Sequence, residues 1–151
     1  MADFAFRPFQ AGDAAACLAL FDANCPEFFA PNERADYAEF LAAAPAGYEV
    51  VIEAGRIVAA FGVLLENEEP HLRWILVAPE AQGRGIGSAI MRRARTTAEA
   101  RPATALHIAA SHRSEPFFQR AGAARVQFHP DGWGPGMHRV DMILRLGENK
   151  R

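Results

Sequence analysis

The stretch VAPEAQGRGIGSAIMRRA, residues 77–94, places Gly83, Gly85 and Gly87 where an apolar run ends and a helical pattern begins. Glycine costs backbone entropy in an ordered element, so this spacing indicates a need for bare backbone. Successive N–H groups at the start of a helix, together with the positive end of the helix dipole, bind anions. The stretch therefore predicts an anion site suited to a phosphate or a pyrophosphate.

Two common phosphate-binding motifs fit this stretch poorly. A P-loop carries lysine and then serine or threonine after its last glycine, whereas Ser88 and Ala89 follow Gly87 directly. The dinucleotide fingerprint G-x-G-x-x-G lacks its third glycine, because Ser88 stands at that position. A dinucleotide-binding protein is therefore the weakest interpretation, since it rests on Gly83 and Gly85 alone.

The patterns around the glycines predict a single α/β domain over residues 1–151 with the order β-α-α-β-β-β-α-β-α-β-β. An Ala-Gly pair at 54–55 predicts a hairpin within 48–65. The other predicted strands lie at 4–9, 71–79, 103–111, 124–130 and 137–146, with a loop over 131–136 before the last strand. The predicted helices lie at 12–25, 31–45, from the glycines to about 100, and at 114–123.

Two separated motifs resemble the signatures of one family. Residues 82–87, QGRGIG, fit the Q/R-x-x-G-x-G/A signature of the GNAT N-acetyltransferase superfamily, and SEPFFQRAGA at 114–123 resembles its second signature helix. The resemblance covers essentially the whole chain and implies a GNAT-like mixed, mostly antiparallel central sheet flanked by helices. It also implies an acetyl-CoA-dependent N-acetyltransferase that transfers acetyl directly from the thioester to an amine.

The resemblance implies where acetyl-CoA binds. The backbone of strand residues 75–77 would pair with the pantetheine arm like an added strand, and the backbone of 82–88 would hold the pyrophosphate. Arg84 would add charge to the phosphates, and Ser111 stands where relatives often have an asparagine that contacts the cofactor. The implied cofactor-binding residues are Ile75, Leu76, Val77, Gln82, Gly83, Arg84, Gly85, Ile86, Gly87, Ser88, Ser111, Phe117 and Phe118.

Direct transfer needs a neutral amine, and only about 0.04% of an alkylamine of pKa ~10.4 is neutral at pH 7. With strict strand alternation, His71, Arg73, Ile75 and Val77 share one face, which in the family looks toward the acceptor and the thioester. His71 is the predicted general base because its ordinary pKa is near 6.5. An exposed strand start is the alternative for His71, a glutamate of 66–69 is the alternative base, and Arg73 could orient an acidic acceptor.

The leaving group marks a departure from the family. Many members carry a tyrosine that protonates the departing thiolate, whereas this chain has Phe118 at that position. A thiol of pKa ~8.5 leaves fairly well unaided, so Ser111, His112 or water could replace the acid. Ser111 is therefore a candidate catalytic residue as well. The same departure supports the alternative function, a non-catalytic acyl-CoA-binding or sensing module.

Aromatic residues of two segments are candidates for the acceptor pocket. Phe28, Phe29 and Tyr37 fall in the family's most variable region, and Trp133 lies in the predicted loop DGWGPG. Simple packing is the alternative for all four residues. His107 lies inside an apolar strand and is predicted to be a core histidine. The acceptor stays open among small amines, amino acids, aminoglycoside-like drugs, and the N-terminus or lysines of a peptide or protein.

Composition excludes several other partners. The net charge of −2 gives no basic footprint for nucleic acid, and the longest apolar run, 57–65, is too short to cross a membrane. The stretch MADFAFRPFQ lacks the cationic and apolar pattern of a signal peptide, so none is expected. Two cysteines make no disulfide framework, and no Cys/His cluster has metal spacing. These features predict a cytoplasmic protein without a bound metal. An exposed edge strand near 137–146 is compatible with a homodimer.

Overall fold

The apolar alternation and the helical stripes form seven strands and four α-helices in the computed structural model, which describes residues 3–147. The strands are β1 (Phe4–Pro8), β2 (Tyr48–Glu53), β3 (Arg56–Glu66), β4 (Glu69–Val77), β5 (Ala105–Ser111), β6 (Ala124–Gly134) and β7 (Met137–Arg145). The helices are α1 (Ala14–Ala23), α2 (Glu33–Ala42), α3 (Ile86–Glu99) and α4 (Glu115–Arg120).

The strands form one sheet in the order β1-β2-β3-β4-β5-β7-β6. Every neighbouring pair is antiparallel except β4 and β5, which are parallel and are joined through α3. A parallel connection needs such a crossover, and the helix packs back on the sheet. The predicted mixed, mostly antiparallel sheet flanked by helices is confirmed, and so is the predicted order of strands and helices.

Local chemistry explains the elements that lead to the glycines. The β2–β3 hairpin turns at Ala54 and Gly55, both of which have positive φ angles. In α3 the predicted apolar stripe faces the sheet, since Ile86, Ile90 and Ala94 are buried. Burial of this stripe fixes how the first turn of α3 meets the end of β4.

A β-bulge interrupts β4 in the middle of the sheet. Ala60 pairs with Leu76 and Gly62 pairs with Arg73, so β4 has one residue more than β3 between these pairs. Trp74 lies in the bulge with a φ of 48°, a conformation that residues other than glycine seldom adopt. A bulge re-aims side chains and weakens the ladder, and here it lies where β4 parts from β5.

The bulge makes the prediction of one shared face for His71, Arg73, Ile75 and Val77 wrong. The partners of His71 and Val77 on β3 lie an odd number of residues apart, and paired residues share a face. His71 and Arg73 lie on the face of Tyr48, which contacts α2, whereas Ile75 and Val77 turn to the opposite face.

The parallel pair β4–β5 is short. Only His71 with His107 and Leu72 with Ile108 are paired, although both strands continue for several residues beyond them. The two strands therefore diverge toward their carboxyl ends, and a gap opens in the sheet between Val77 and Ser111.

The free edge of the sheet differs from the prediction. The strand expected at 137–146 to be an exposed edge lies between β5 and β6, so β6 is the edge instead. The predicted loop 131–136 is also wrong in part, because Asp131–Gly134 continues β6. Val126 and Phe128 of β6 are exposed apolar side chains. A homodimer stays a prediction.

Both cysteines, Cys17 and Cys25, are free thiols. No helix within residues 3–147 combines the length and the apolar character needed to cross a membrane. Within the same range, no three side chains of the His, Cys, Asp and Glu types are grouped so that they could hold a metal ion.

Candidate active site

A cavity of about 540 Å³ opens where β4 and β5 diverge. One wall is the bulged part of β4, residues 72–77, and the other is the end of β5, residues 108–111. The glycine stretch and α4 close one end, and the segment between α1 and α2 closes the other. Two chemically different ends thus meet at one gap in the sheet.

The glycine end is open backbone at a helix start. Gly85 is the N-cap of α3 with a φ of 88°, and Gly83 has a φ of 80°. No side chain caps this helix. The backbone N–H groups of a first helical turn have no acceptor within the helix, so here they are left for a ligand. A Cβ atom built on either glycine would meet nothing within 4 Å, so the space above both is free. This arrangement fits an anionic group such as a pyrophosphate.

Gly87 serves a different purpose from the other two glycines. A Cβ atom at Gly87 would lie 2.9 Å from Cε1 of Phe117, closer than real Cβ atoms approach a ring. The third glycine thus allows α3 to pack against the ring from α4, rather than simply clearing space for a ligand.

Two polar side chains of the glycine stretch have protein partners. Arg84 forms a two-pronged ion pair with Glu53 of β2, with the shorter contact at 2.6 Å. Gln82 donates through Nε2 to the Val77 carbonyl at 3.1 Å and to Asn24 Oδ1 at 3.3 Å. Gln82 therefore ties the glycine stretch to the end of β4, and Arg84 reaches a phosphate only by leaving Glu53.

The β4 segment past Leu72 has no strand partner on its β5 side within the described chain. Side chains hold its carbonyls instead: Tyr48 donates to the Trp74 carbonyl at 2.6 Å and Asn24 donates to the Val77 carbonyl at 3.1 Å. A fixed, unpaired strand edge along a cavity is suited to pairing with an extended ligand.

A pair of buried tyrosines lies behind the bulge. The hydroxyls of Tyr37 and Tyr48 are 2.7 Å apart, and the Tyr37 ring stacks on Trp74 with centroids 4.7 Å apart. Burial raises the pKa of both tyrosines above the ordinary value of 10, so both hydroxyls stay protonated. Of the two alternatives open for Tyr37, the pocket and simple packing, the structure has packing, because Tyr37 is fully buried behind the Trp74 wall.

The other end of the cavity is aromatic. Phe28 and Phe29 line it as predicted, together with Trp74 and Trp133. Trp133 donates from Nε1 to the Ala110 carbonyl at 2.9 Å, which holds its ring against the end of β5. Trp133, a candidate for the pocket wall with simple packing as the alternative, therefore lines the cavity, although it belongs to β6 and not to a loop.

His71 lies beside the cavity and not in its wall. Its ring stacks on His107 with centroids 4.7 Å apart, and its Nδ1 is 3.7 Å from Glu66. Burial lowers the pKa of His71, which keeps the ring neutral at pH 7. Arg73 does line the cavity, and its guanidinium pairs with Glu66.

His107 is not the core histidine that its apolar strand predicted. Its side chain is 35% exposed, and its Nε2 lies 2.5 Å from Oε1 of Glu69. The strand is paired with β4 at this point, so the imidazole reaches the sheet surface near the charged turn.

Ser111 and Phe118 line the cavity from the side of β5 and α4. Both are buried, and Ser111 Oγ accepts from the Ser114 backbone N–H at 3.1 Å. The backbone of Ser111 in turn donates to Ser114 Oγ at 3.1 Å. His112, the other candidate acid, does not line the cavity, and its Nδ1 accepts from the His138 backbone at 3.2 Å.

Glu33 is a further candidate site residue that its local sequence did not predict. This first residue of α2 is 4% exposed, lines the cavity, and accepts from the Ala30 backbone N–H at 2.9 Å. Burial raises its pKa from 4.5 to about 7. The available signal was an acidic residue at the start of a predicted helix, five residues after Phe28 and four after Phe29.

Comparison with known proteins places this geometry in a family. The model of the acetyltransferase (GNAT) family matches residues 17–123, which include the glycine stretch and α4. The chain belongs to the GNAT family. It is therefore an acyltransferase, and the family predicted from the two motifs is confirmed. Comparison with curated proteins gave no match.

Solved GNAT structures share the fold along the whole chain. A GCN5-related N-acetyltransferase from Rhodopseudomonas palustris is 23% identical with a TM-score of 0.77, covering 97% of this chain and 98% of that one. The ribosomal-protein-S18-alanine N-acetyltransferase of Escherichia coli is 15% identical with a TM-score of 0.77, covering 99% of each chain. N-acetylglutamate synthase of Neisseria gonorrhoeae, solved with coenzyme A and N-acetylglutamate, is 16% identical with a TM-score of 0.74, covering 97% of this chain and 36% of that one.

Proposed function

We propose that this GNAT protein is an acetyl-CoA-dependent N-acetyltransferase that transfers acetyl directly to an amine. The observation that carries the proposal is the continuity of two binding features in one cavity. The open helix start at Gly83 and Gly85 suits a pyrophosphate, and the unpaired β4 edge beside it suits an extended arm. The Neisseria neighbour, solved with coenzyme A, supports this use of the fold.

The residues present fit acetyl-CoA along the cavity. The backbone of 82–88 holds the pyrophosphate, and the backbone of Ile75, Leu76 and Val77 pairs with the pantetheine arm. The opposite wall is formed by Ser111, Phe117 and Phe118. Acetyl-CoA supplies an acyl group whose thiolate leaves readily, so the protein mainly binds, orients and manages protons.

The reaction needs one base and returns one proton. The neutral amine attacks the thioester carbon, the C–N bond forms, and the C–S bond breaks with its electron pair remaining on sulfur. His71, neutral at pH 7, takes a proton of the amine through water, because it lies beside the cavity. His71 then releases this proton to solvent, and the thiolate takes up one proton from solvent through water near Ser111, the one hydroxyl among the β5 residues that line the cavity.

The first experiment is acetyl-CoA turnover, followed as free thiol across a panel of amines. The panel contains small amines, amino acids, aminoglycosides and peptides with a free N-terminus or lysine. Thiol release that depends on one acceptor class supports the proposal and names a small-molecule or peptide partner. Acetyl-CoA binding without thiol release from any acceptor would contradict it.

A second candidate is a non-catalytic acyl-CoA-binding module. Phe118 favours it, because the position of the usual tyrosine acid carries a buried ring without a hydroxyl. The turnover experiment separates the two candidates, since only the enzyme releases thiol at a rate that depends on acceptor concentration. A cytoplasmic location stays a prediction.

A further inference from the structure

Glu33 is a buried acid at the acceptor end of the cavity that the proposed mechanism does not use. Its Oε2 accepts from the Ala30 N–H, and its own N–H donates to the Ala30 carbonyl at 2.9 Å. A glutamine could accept the same backbone bond, so helix capping alone does not require a charged side chain here. No fully buried side-chain oxygen within residues 3–147 lacks a partner. The second oxygen of Glu33 therefore keeps some accessible surface, and Glu33 is one of the residues that line the cavity.

The carboxylate of Glu33 has no cationic partner among the described residues. The neighbouring Arg34 turns outward and pairs with Asp22 at 2.7 Å. Arg73, which also lines the cavity, pairs with Glu66. Burying a carboxylate without a counter-ion is costly, and Asp36, the one charged side chain that shifts its pKa, is also negative. The protein thus keeps an acidic group that a bound cation would stabilise.

The walls near this acid are preformed and aromatic. Phe29 stacks on Trp74 with centroids 6.0 Å apart, and Trp74 is held in turn by Tyr37. Trp133 is fixed at both ends, because Asn32 donates to its backbone carbonyl at 2.8 Å while its indole donates to β5. Asn32 precedes Glu33 directly, so one hydrogen bond ties the acid and the Trp133 wall together.

We propose that Glu33 binds the ammonium group of the acceptor, and that the preferred acceptors are primary amines carrying an aromatic body. This inference rests on the proposed acetyltransferase function. The carboxylate supplies the counter-charge, and the ring faces attract a cation electrostatically. The same rings bury the flat apolar part of the acceptor. An acidic acceptor is disfavoured, because Arg73 is neutralised by Glu66 and Glu33 repels an anion.

The test is calorimetric titration of the full-length protein with three probes at pH 8. Phenethylamine carries both features, 2-phenylethanol lacks the charge, and butylamine lacks the ring. Phenethylamine is expected to bind about tenfold more tightly than 2-phenylethanol, which is the effect of one charged hydrogen bond. It is also expected to bind more tightly than butylamine, which lacks the apolar area of the ring. Equal affinity for 2-phenylethanol and phenethylamine would overturn the inference.

The variant Glu33→Gln keeps the backbone bond and removes the charge. It is expected to bind phenethylamine about 10–100-fold more weakly and 2-phenylethanol unchanged. Glu39→Gln is the matched control, because it removes an exposed carboxylate of the same helix that does not act on Glu33, and it should change neither affinity. Unchanged phenethylamine binding by Glu33→Gln would refute the role of Glu33.

Two further measurements keep the outcome clear. If Glu33→Gln does not fold, Phe28→Leu tests the same pocket and should weaken phenethylamine but not butylamine. Thiol release with any amine tests the proposed function independently of this inference. Turnover with acidic or aliphatic acceptors alone, and no binding of phenethylamine, would sink the inference and leave the acetyltransferase standing.

Discussion

The Tyr48 hydroxyl, from β2, donates to the carbonyl of Trp74 in the bulge of β4 at 2.6 Å, although β3 lies between the two strands. This bond replaces a ladder bond, since β4 has an extra residue there and no partner on the β5 side among the described residues. The rigid tyrosine thus fixes the backbone of the segment that we propose to pair with acetyl-CoA.

Tyr48→Phe should therefore weaken acetyl-CoA binding from a distance. The carbonyl of Trp74 loses its donor in a buried place, which costs about 1–3 kcal/mol of stability. The freed bulge should raise the KM for acetyl-CoA several-fold. Steady-state kinetics and urea unfolding measure the two effects separately.

Tyr37→Phe is the matched control for this prediction. It removes the hydroxyl that meets Tyr48 but leaves the bond to Trp74 in place. It should lower stability without changing the KM for acetyl-CoA. Equal KM values for the two variants would mean that the Tyr48 bond does not position the bulge.

Gly85→Ala should weaken acetyl-CoA binding by more than the backbone strain of the substitution explains. The added Cβ occupies space that is open in the cavity, and alanine resists a φ of 88° at a cost of about 1 kcal/mol. Gly55→Ala introduces a similar strain, at a φ of 77°, in the β2–β3 turn, which does not line the cavity. A thermal-shift assay with acetyl-CoA compares them, and similar ligand shifts in both variants would refute the phosphate site.

Gly87→Ala should destabilise the protein through a single ring. Its Cβ would lie 2.9 Å from Phe117, so either the ring or the helix must move. The double variant with Phe117→Leu should recover most of the loss, because leucine leaves room for the methyl group. Urea unfolding of the single and double variants gives the coupling. Additive losses would show that the two residues do not share this space.

Much of this architecture was predictable because its signals are local. The strand and helix order, the Ala54–Gly55 hairpin and the buried stripe of α3 all follow from short-range patterns. The glycine stretch was equally readable, because a positive φ and an open helix start leave a direct mark on residue type. Such features depend on neighbours in the chain and not on the final packing.

The missed features depend on contacts between distant segments. Alternation within β4 does not show the bulge at Trp74, which arises from the register against β3. The edge position of β6 depends on strand order, and the spacing of residues does not record it. Glu33 looked like an ordinary charged helix start, and only tertiary burial by the aromatic walls makes it distinctive.

His71→Gln tests the proposed base through the pH profile. Because burial lowers the pKa of His71, the kcat of the wild-type protein should rise with pH along a titration curve whose midpoint lies below 6.5, and then level off. The variant should lose the rising part of this pH profile, and its kcat should fall by a factor of about 10²–10⁴. His129→Gln, which removes a histidine paired with Asp141, should keep the wild-type profile. An unchanged profile in His71→Gln would exclude this base.

The free energy of unfolding should depend on pH in a way that reflects the titration of Glu33. Its folded-state pKa of about 7 lies above the ordinary 4.5, so the folded protein holds a proton that the unfolded chain has released. That contribution is complete below pH 4.5 and is lost as the pH rises through 7. It amounts to on the order of 3 kcal/mol, at about 1.4 kcal/mol per pKa unit.

Glu33→Gln lacks this titration, so its stability relative to wild type should rise from pH 5 to pH 8. Urea unfolding at four pH values measures the difference, and Glu39→Gln, an exposed carboxylate on the same helix, is the control whose stability relative to wild type should stay level. Parallel pH curves for Glu33→Gln and the wild-type protein would show that Glu33 titrates as an exposed acid.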